Sequence, residues 1–225
     1  MSRSLKYEIP GEDPRLSLAD VAATGWQALF AKTREPTECD PWSPGRMVLE
    51  IGFGRGEFLL AMAERSPQVD FVGIEISFKR TLKMARKVAR AKLSNVRLLE
   101  ARAEVALKQL FLPGSLGEIW LNFSDPWPKA RHAHRRVIQQ PFVADAARAL
   151  GRGGVLYVAT DNVRYAHQIG ELLAAEKALF NQYTPWPFLV DIPGRSYTGY
   201  EEQWRAAGRP LHFFAYSTTA RQDIE

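Results

Sequence analysis

Short apolar runs and helically spaced apolar residues take turns along most of this chain. "MVLEIGFGRG" is an apolar run closing in glycines, and "EFLLAMAERSP" after it spaces its apolar residues three and four apart until Pro67. That pattern is strand, loop, helix. It recurs with "DFVGIEI" as a strand and residues 78–93 as a helix, then "NVRLLEA" as a strand and "EVALKQLF" as a short helix. "EIWLNFS", residues 137–150, "GGVLYVATD" and residues 163–180 continue the alternation. Strands alternating with helices at this spacing predict a parallel sheet covered on both faces. Near the end, "PFLVDIP" and "LHFFAYSTT" read as two strands with no helix of normal length between them, which predicts an antiparallel edge. The expected fold is α/β: a Rossmann-like, doubly wound, mostly parallel seven-stranded sheet with an antiparallel C-terminal strand.

The pattern also predicts the domain organisation. Residues 1–46 carry Pro10, Pro14, Pro36, Pro41 and Pro44, which break every long element except a helical stretch over residues 18–32. This segment reads as an N-terminal arm, residues 47–220 as one domain and residues 221–225 as a tail. There is no internal repeat and no low-complexity tract.

Composition narrows the class of protein. With 225 residues and 46% apolar content, one substantial core is the default. The formal net charge of +5 suggests an anionic partner where the cations cluster. Cys39 is the only cysteine, which excludes an intrachain disulfide and a multi-cysteine metal site and fits a reducing compartment. The start "MSRSLKYEIP" lacks the apolar core of a signal peptide, and no run has the length of a membrane span. A soluble, cytoplasmic protein without a membrane partner is expected.

In an open parallel sheet, ligands sit beyond the carboxyl ends of the strands, so function should collect on the loops there. Gly52, Gly54 and Gly56 permit tight turning and close approach of backbone to ligand. Glu75 ends the second strand of the series, placed to accept hydrogen bonds from ribose hydroxyls, and Glu50 puts another carboxylate near the ligand. A carboxylate repels a pyrophosphate and attracts a cationic amino-acid group, which favours S-adenosylmethionine over NAD. The spacing G-x-G-x-G also differs from that of dinucleotide folds. The alternative is that the glycines make only a strand-to-helix turn.

The loop after the fourth strand of this series reads "NFSDPWPKARHAHRR". Pro126 and Pro128 should hold Asp125 and Trp127 extended, stiffening the loop and aiming the acid. Trp127 offers a face for stacking a base, and Lys129, Arg131, Arg135 and Arg136 offer charge for a phosphate backbone. The bland alternative is a tryptophan plugging the sheet edge beside a solvated basic turn. His132 and His134 lack a third ligand nearby, and no metal is assigned.

These residues carry a resemblance. "LEIGFGRG", "GIE", "DPWPKARHAHRR", "ATDN" at residues 159–162 and "RSYTGYE" at residues 195–201 resemble the bacterial tRNA (guanine-N7)-methyltransferase family over residues 48–216. The glycine loop is shared by many methyltransferases, whereas the DPWPK-x-RH-x-x-RR run is specific. The resemblance implies S-adenosylmethionine contacts at Glu50 and Glu75, methyl transfer at Asp125, and substrate contacts at Lys129 and Asp161. It further implies an RNA-interacting stretch over residues 131–136, including Arg131, His132, Arg135 and Arg136. Thr198, Gly199, Tyr200 and Glu201 would then close on a guanosine of the tRNA variable loop. Four positions depart from the family pattern. Arg102 stands near the usual adenine-contacting Asp or Asn, leaving Glu104 as a displaced candidate. Ser124 stands where Pro is common, His134 where Lys or Arg is common, and Gly199 where Lys is frequent.

The chemistry suits such residues. Guanine N7 has an in-plane lone pair and no proton, so attack on a sulfonium methyl needs positioning and negative charge rather than a strong base, which one buried carboxylate such as Asp125 supplies. Asp161 or Glu201 would accept hydrogen bonds from guanine N1 and N2 and so reject adenine. Lys79, Lys83, Arg86 and Arg90 share one face of a helix that is rich in cations and free of acids, which suits RNA or a merely solubilising surface. The partner expected is tRNA, bound by a monomer or homodimer with no obligate protein partner. Competing readings are methylation of an exocyclic amine and a non-catalytic RNA-binding relative, while an NAD oxidoreductase is disfavoured.

Overall fold

The computed structural model describes residues 8–31, 47–192 and 199–219. Eight strands form one sheet: β1 (Arg15–Leu16), β2 (Met47–Ile51), β3 (Asp70–Glu75), β4 (Val96–Glu100), β5 (Leu116–Asn122), β6 (Leu150–Thr160), β7 (Phe180–Asn181) and β8 (His212–Ser217). Their order is β1-β4-β3-β2-β5-β6-β8-β7. β1 to β6 pair in parallel, and β8 runs antiparallel to both β6 and β7. The helices are α1 (Leu18–Thr24), α2 (Trp26–Ala31), α3 (Glu57–Arg65), α4 (Phe78–Ala91), α5 (Ala103–Leu110), α6 (Gln140–Ala149), α7 (Val163–Ala174) and α8 (Gly199–Ala206), with a 3-10 turn over Ala130–Arg135.

Strand alternation builds two main cores, one on each face of the sheet. Leu49, Ile51, Val72, Ile74, Leu121 and Val158 pack in one cluster with buried residues of α1, α2, α5, α6 and α7. Val48, Phe71, Val96 and Leu98 pack in the other with residues of α3 and α4. Gly73 faces that second cluster, where a Cβ would press on Phe53, Leu59 and Leu98. No helix among the described residues is long and apolar enough to cross a membrane.

The doubly wound parallel sheet and its antiparallel end agree with the sequence pattern, while the strand count and several boundaries differ. The sheet has eight strands rather than seven: residues 15–16 of the segment read as an irregular arm add β1 beside β4, and Phe180–Asn181 add β7, where the strand expected over residues 187–193 is largely lost among the described residues. That segment is packed into the fold: Val21, Trp26, Leu29 and Phe30 are buried, and the Trp26 indole N–H donates to the Leu110 carbonyl at 2.9 Å. The single helix expected over residues 18–32 is two. Ser17 and Asp20 form a reciprocal capping box at the start of α1, and Gly25, at φ 77°, ends it.

α6 begins at Gln140, later than its apolar pattern suggests, because Pro141 suits the first turn and disfavours helix before it. α7 stops at Ala174, since Phe180 and Asn181 pair with β8 instead. Of "PFLVDIP", only Leu189 bridges to Phe213, so most of that expected strand is absent from the described residues. α8 occupies part of the link where no helix of normal length was expected.

Candidate active site

Two loops lie side by side where the adjacent parallel strands β2 and β5 end. The glycine loop follows β2. Its Gly52 N–H donates to the Ile74 carbonyl at 2.7 Å, and its Gly54 N–H donates to Glu75 Oε2 at 3.1 Å. Glu75 Oε1 accepts the Ser77 N–H at 3.0 Å, and Arg80 lies 3.5 Å from Oε2. The buried Glu75 carboxylate thus ties the loop to the end of β3. Oε1, with one donor, retains acceptor capacity for a further hydroxyl.

The glycines do different things. Gly52 (φ 70°) and Gly54 (φ 55°) adopt left-handed backbone, and a Cβ on Gly52 would meet nothing within 4 Å. That open space is where a ligand can approach the backbone. Gly56 instead makes room for a neighbour, because a Cβ there would overlap the Met84 sulfur of α4. Lys87, also on α4, donates to the Arg55 carbonyl at 2.8 Å and steadies the loop from the same side.

The loop edges a cavity of about 250 Å³ whose walls include Glu50, Gly52, Gly54, Asn122, Phe123 and Tyr200. Glu50 is buried, and its Oε1 accepts from Asn122 Nδ2 at 3.5 Å. A buried acid beside open, glycine-lined backbone, with Glu75 behind, fits the cationic amino acid and the ribose of S-adenosylmethionine. Arg102 and Glu104 do not join this wall. They pair with each other at 3.4 Å at the start of α5, with Arg102 exposed, so the structure does not place them among the cavity-lining residues.

The second loop follows β5. Phe123 (φ 53°) and Trp127 (φ 40°) both take left-handed backbone, so Trp127 is not extended as the flanking prolines suggested. The turn wins because Asp125 Oδ1 accepts the Trp127 N–H at 3.0 Å, closing a local side-chain ring. Asp125 is exposed rather than buried, two residues beyond Phe123, which with Asn122 lines the cavity.

The basic stretch divides. Lys129, Arg131 and Arg135 are exposed, His132 is half-buried, and Arg136 is buried. The Arg135 guanidinium lies 4.9 Å from the Trp127 ring centroid, and the His132 ring meets the same indole edge-on. Arg136 is turned inward to the carbonyls of Pro126 and Trp127, which corrects the expectation of a phosphate contact there.

Asp161 follows β6 and lies 3.4 Å from Arg209, whose guanidinium stacks 3.4 Å from the Trp204 ring centroid. Asn162 then caps α7 by accepting the Tyr165 N–H at 3.0 Å. Thr198 lies outside the described residues. Gly199 opens α8 close to the start of α3, where a Cβ would need the end of the Glu57 side chain to shift. Tyr200 lines the cavity with its ring 5.5 Å from that of Phe123. Its pKa is raised, first by burial and further by the Asp161 and Asp125 carboxylates, against opposing effects of Trp204 and Arg209.

Glu201 is turned inward rather than toward the cavity. It is fully buried, accepting from Arg205 Nε at 3.1 Å and Nη2 at 3.0 Å, while Arg205 also pairs with Asp191 at 2.8 Å. Sequence reasoning missed Asn122, Phe123, Arg80 and Arg209. The first two open the stretch that carries Asp125 and were within reach of it, whereas Arg209 is 48 positions from Asp161 and carried no local signal.

Comparisons with known proteins bear on the family and the fold. A family model described as "Putative methyltransferase" matches residues 44–214. A tRNA (guanine-N(7)-)-methyltransferase of Leifsonia xyli is 38% identical over 189 residues, covering 84% of this chain and 78% of that protein. One from Thermotoga maritima is 35% identical over 205 residues, covering 91% of this chain, and the match spans 59% of that relative's length. Among solved structures, the 16S rRNA methyltransferase KamB superposes with a TM-score of 0.57 at 16% identity, covering 77% of this chain and 88% of that one. The aminoglycoside resistance methyltransferase NpmB1 gives 0.55 at 19% identity, covering 79% and 89%. These structures share the fold, and the family model spans both of its loops: the chain belongs to the tRNA (guanine-N(7)-)-methyltransferase family.

Proposed function

We propose that this protein transfers a methyl group from S-adenosylmethionine to N7 of a guanine in tRNA, at position 46 of the variable loop. The observation that carries the reading is the side-by-side placement of the glycine-lined, acid-walled cavity and the Asp125 loop on adjacent strand ends. When bound, S-adenosylmethionine supplies an electrophilic methyl on a sulfonium centre. Glu50, Gly52, Gly54 and Glu75 would hold it, the carboxylates taking the amino and ribose groups and the backbone fitting beneath.

In this reading Asp125, on the loop that follows Asn122 and Phe123, sets its negative charge against the positive charge that develops on the purine. Its exposure costs little once a base covers it and excludes water. Asp161, only partly buried beside Arg209, accepts from the guanine N1 and N2 groups, a role that Glu201 cannot share because its carboxylate is fully buried against Arg205. Tyr200 closes the side of the cavity, and no strong base is needed because N7 carries no proton.

The tRNA backbone meets Lys129, Arg131 and Arg135 on one side. On the other, α4 presents Lys79, Lys83 and Arg90 exposed and Arg86 half-buried, with no acid between Glu75 and Glu100. Four cations along roughly 16 Å of helix match a phosphate track better than a single ion.

The reading is tested by incubating the protein with unmodified tRNA and labelled S-adenosylmethionine, followed by nucleoside analysis and borohydride and aniline cleavage. Labelled 7-methylguanosine with cleavage in the variable loop is expected. A labelled exocyclic-amine product would replace the reading with its rival. Stabilisation by tRNA but not by the cofactor in thermal melts would point to a non-catalytic RNA binder.

A further inference from the structure

Arg135 and Arg136 are neighbours in a run of cations, yet the structure uses them in opposite ways. Arg135 is exposed and stacks on Trp127. Arg136 is 8% exposed, and each nitrogen of its guanidinium makes a hydrogen bond. Nε donates to the Pro126 carbonyl at 2.7 Å, Nη2 to the Trp127 carbonyl at 3.3 Å and Nη1 to Gln168 Oε1, while the group lies 5.0 Å from the Tyr165 ring centroid.

Those two carbonyls belong to the residues directly after Asp125. Trp127 is in left-handed backbone at φ 40°, a conformation that an aromatic residue keeps only where its surroundings impose it. Gln168 and Tyr165 lie one turn apart on α7, the helix that starts after Asp161. The Tyr165 hydroxyl accepts the Ile138 N–H at 3.2 Å, so this support is itself anchored. Arg136 thus spans from the loop after β5 to the helix after β6, linking the backbone that sets Asp125 to the element beside Asp161.

We infer that Arg136 is a positioning residue for methyl transfer: it holds the Asp125 loop in its catalytic shape and does not contact RNA. The inference rests on the function proposed above. Lysine keeps the charge but is a single point donor, unable to serve two carbonyls and an amide in one plane. Arg136→Lys is therefore the informative variant, with Gln168→Ala as a milder second cut at the same support.

Three readouts separate the possibilities. In Arg136→Lys, kcat falls between about tenfold and a hundredfold, the scale for slight misplacement of a reacting group. The KM for tRNA and its salt dependence stay near wild type. Hydrogen exchange speeds up in the peptide spanning residues 122–129, where the Trp127 amide is now held by Asp125. Gln168→Ala shows the same changes with smaller size, and keeps the inference testable if Arg136→Lys folds poorly. A raised KM with a shallower salt slope and unchanged kcat would make Arg136 an RNA contact and overturn the inference. Unchanged exchange and unchanged kcat would overturn it too. If the wild type makes no 7-methylguanosine while exchange still responds to Arg136→Lys, the functional reading fails and the structural role of Arg136 survives.

Discussion

The glycine loop and the Asp125 loop end adjacent strands and are held in opposite electrostatic senses. In the first, a buried carboxylate, Glu75, accepts a backbone N–H from Gly54; in the second, a buried guanidinium, Arg136, donates to the carbonyls of Pro126 and Trp127. The first loop is built from residues that bend freely, the second from two prolines and an aromatic held in an unfavourable conformation. A loop that binds cofactor gains from close approach of its backbone, whereas a loop that aims one acid gains from rigidity. Damage to the two anchors should accordingly appear in different kinetic constants.

The largest effect expected is from Asp125→Ala. With its charge gone from the reacting base, kcat should fall by about a hundredfold or more, the scale for losing one electrostatic contact to a transition state. Cofactor affinity measured by calorimetry should change little, and a parallel loss of cofactor binding would break the division of labour between the loops.

Glu75→Ala tests the anchor of the glycine loop. Removing acceptors of charge-assisted hydrogen bonds should weaken S-adenosylmethionine binding by about thirtyfold, with a smaller change in kcat at saturating cofactor. A melting temperature recorded without cofactor separates the loop-holding part of this effect from the ligand-holding part.

A smaller effect, confined to RNA, should follow from combining Lys79→Ala, Lys83→Ala, Arg86→Ala and Arg90→Ala. The KM for tRNA should rise by about tenfold near physiological salt, and the slope of log affinity against log salt should become shallower by roughly three. Equal affinity at low salt would remove α4 from the binding surface and leave the basic turn after Asp125 alone.

The smallest is Arg102→Asp. An acid near the usual adenine-contacting position should tighten cofactor binding by about threefold, the worth of one modest hydrogen bond. No change in calorimetric affinity would mean that the adenine is held from elsewhere.

Much of the fold was legible because burial leaves a periodic mark. β2, β3, β4 and β5 lie inside the sheet and read as apolar runs, and α4 carries its buried residues at helical spacing between cations. The edges were less legible. β1 and β7 are two residues long, too short for any period, and β1 exists because β4 offers it a partner. At the site, Glu50 and the two open glycines follow one another on a strand and its loop and so come together by connection, whereas Glu75 reaches Gly54 from β3, 21 residues on, because β3 pairs with β2. Arg136, Glu201 and Arg102 could not be sorted this way, because a charge in a motif reads the same whether it faces solvent, a carbonyl or another charge.

The order of elements, the two loops at adjacent strand ends and the residue types on them were thus determined by the sequence itself, through periodicity and backbone stereochemistry acting over a few neighbours. Tertiary structure alone decided which cation turns inward, that Gly56 serves Met84 while Gly52 leaves space, and that Arg209 meets Asp161. The physical reason is range: propensity acts over a turn or two, while desolvation and hydrogen bonding depend on groups brought close only after the sheet has formed.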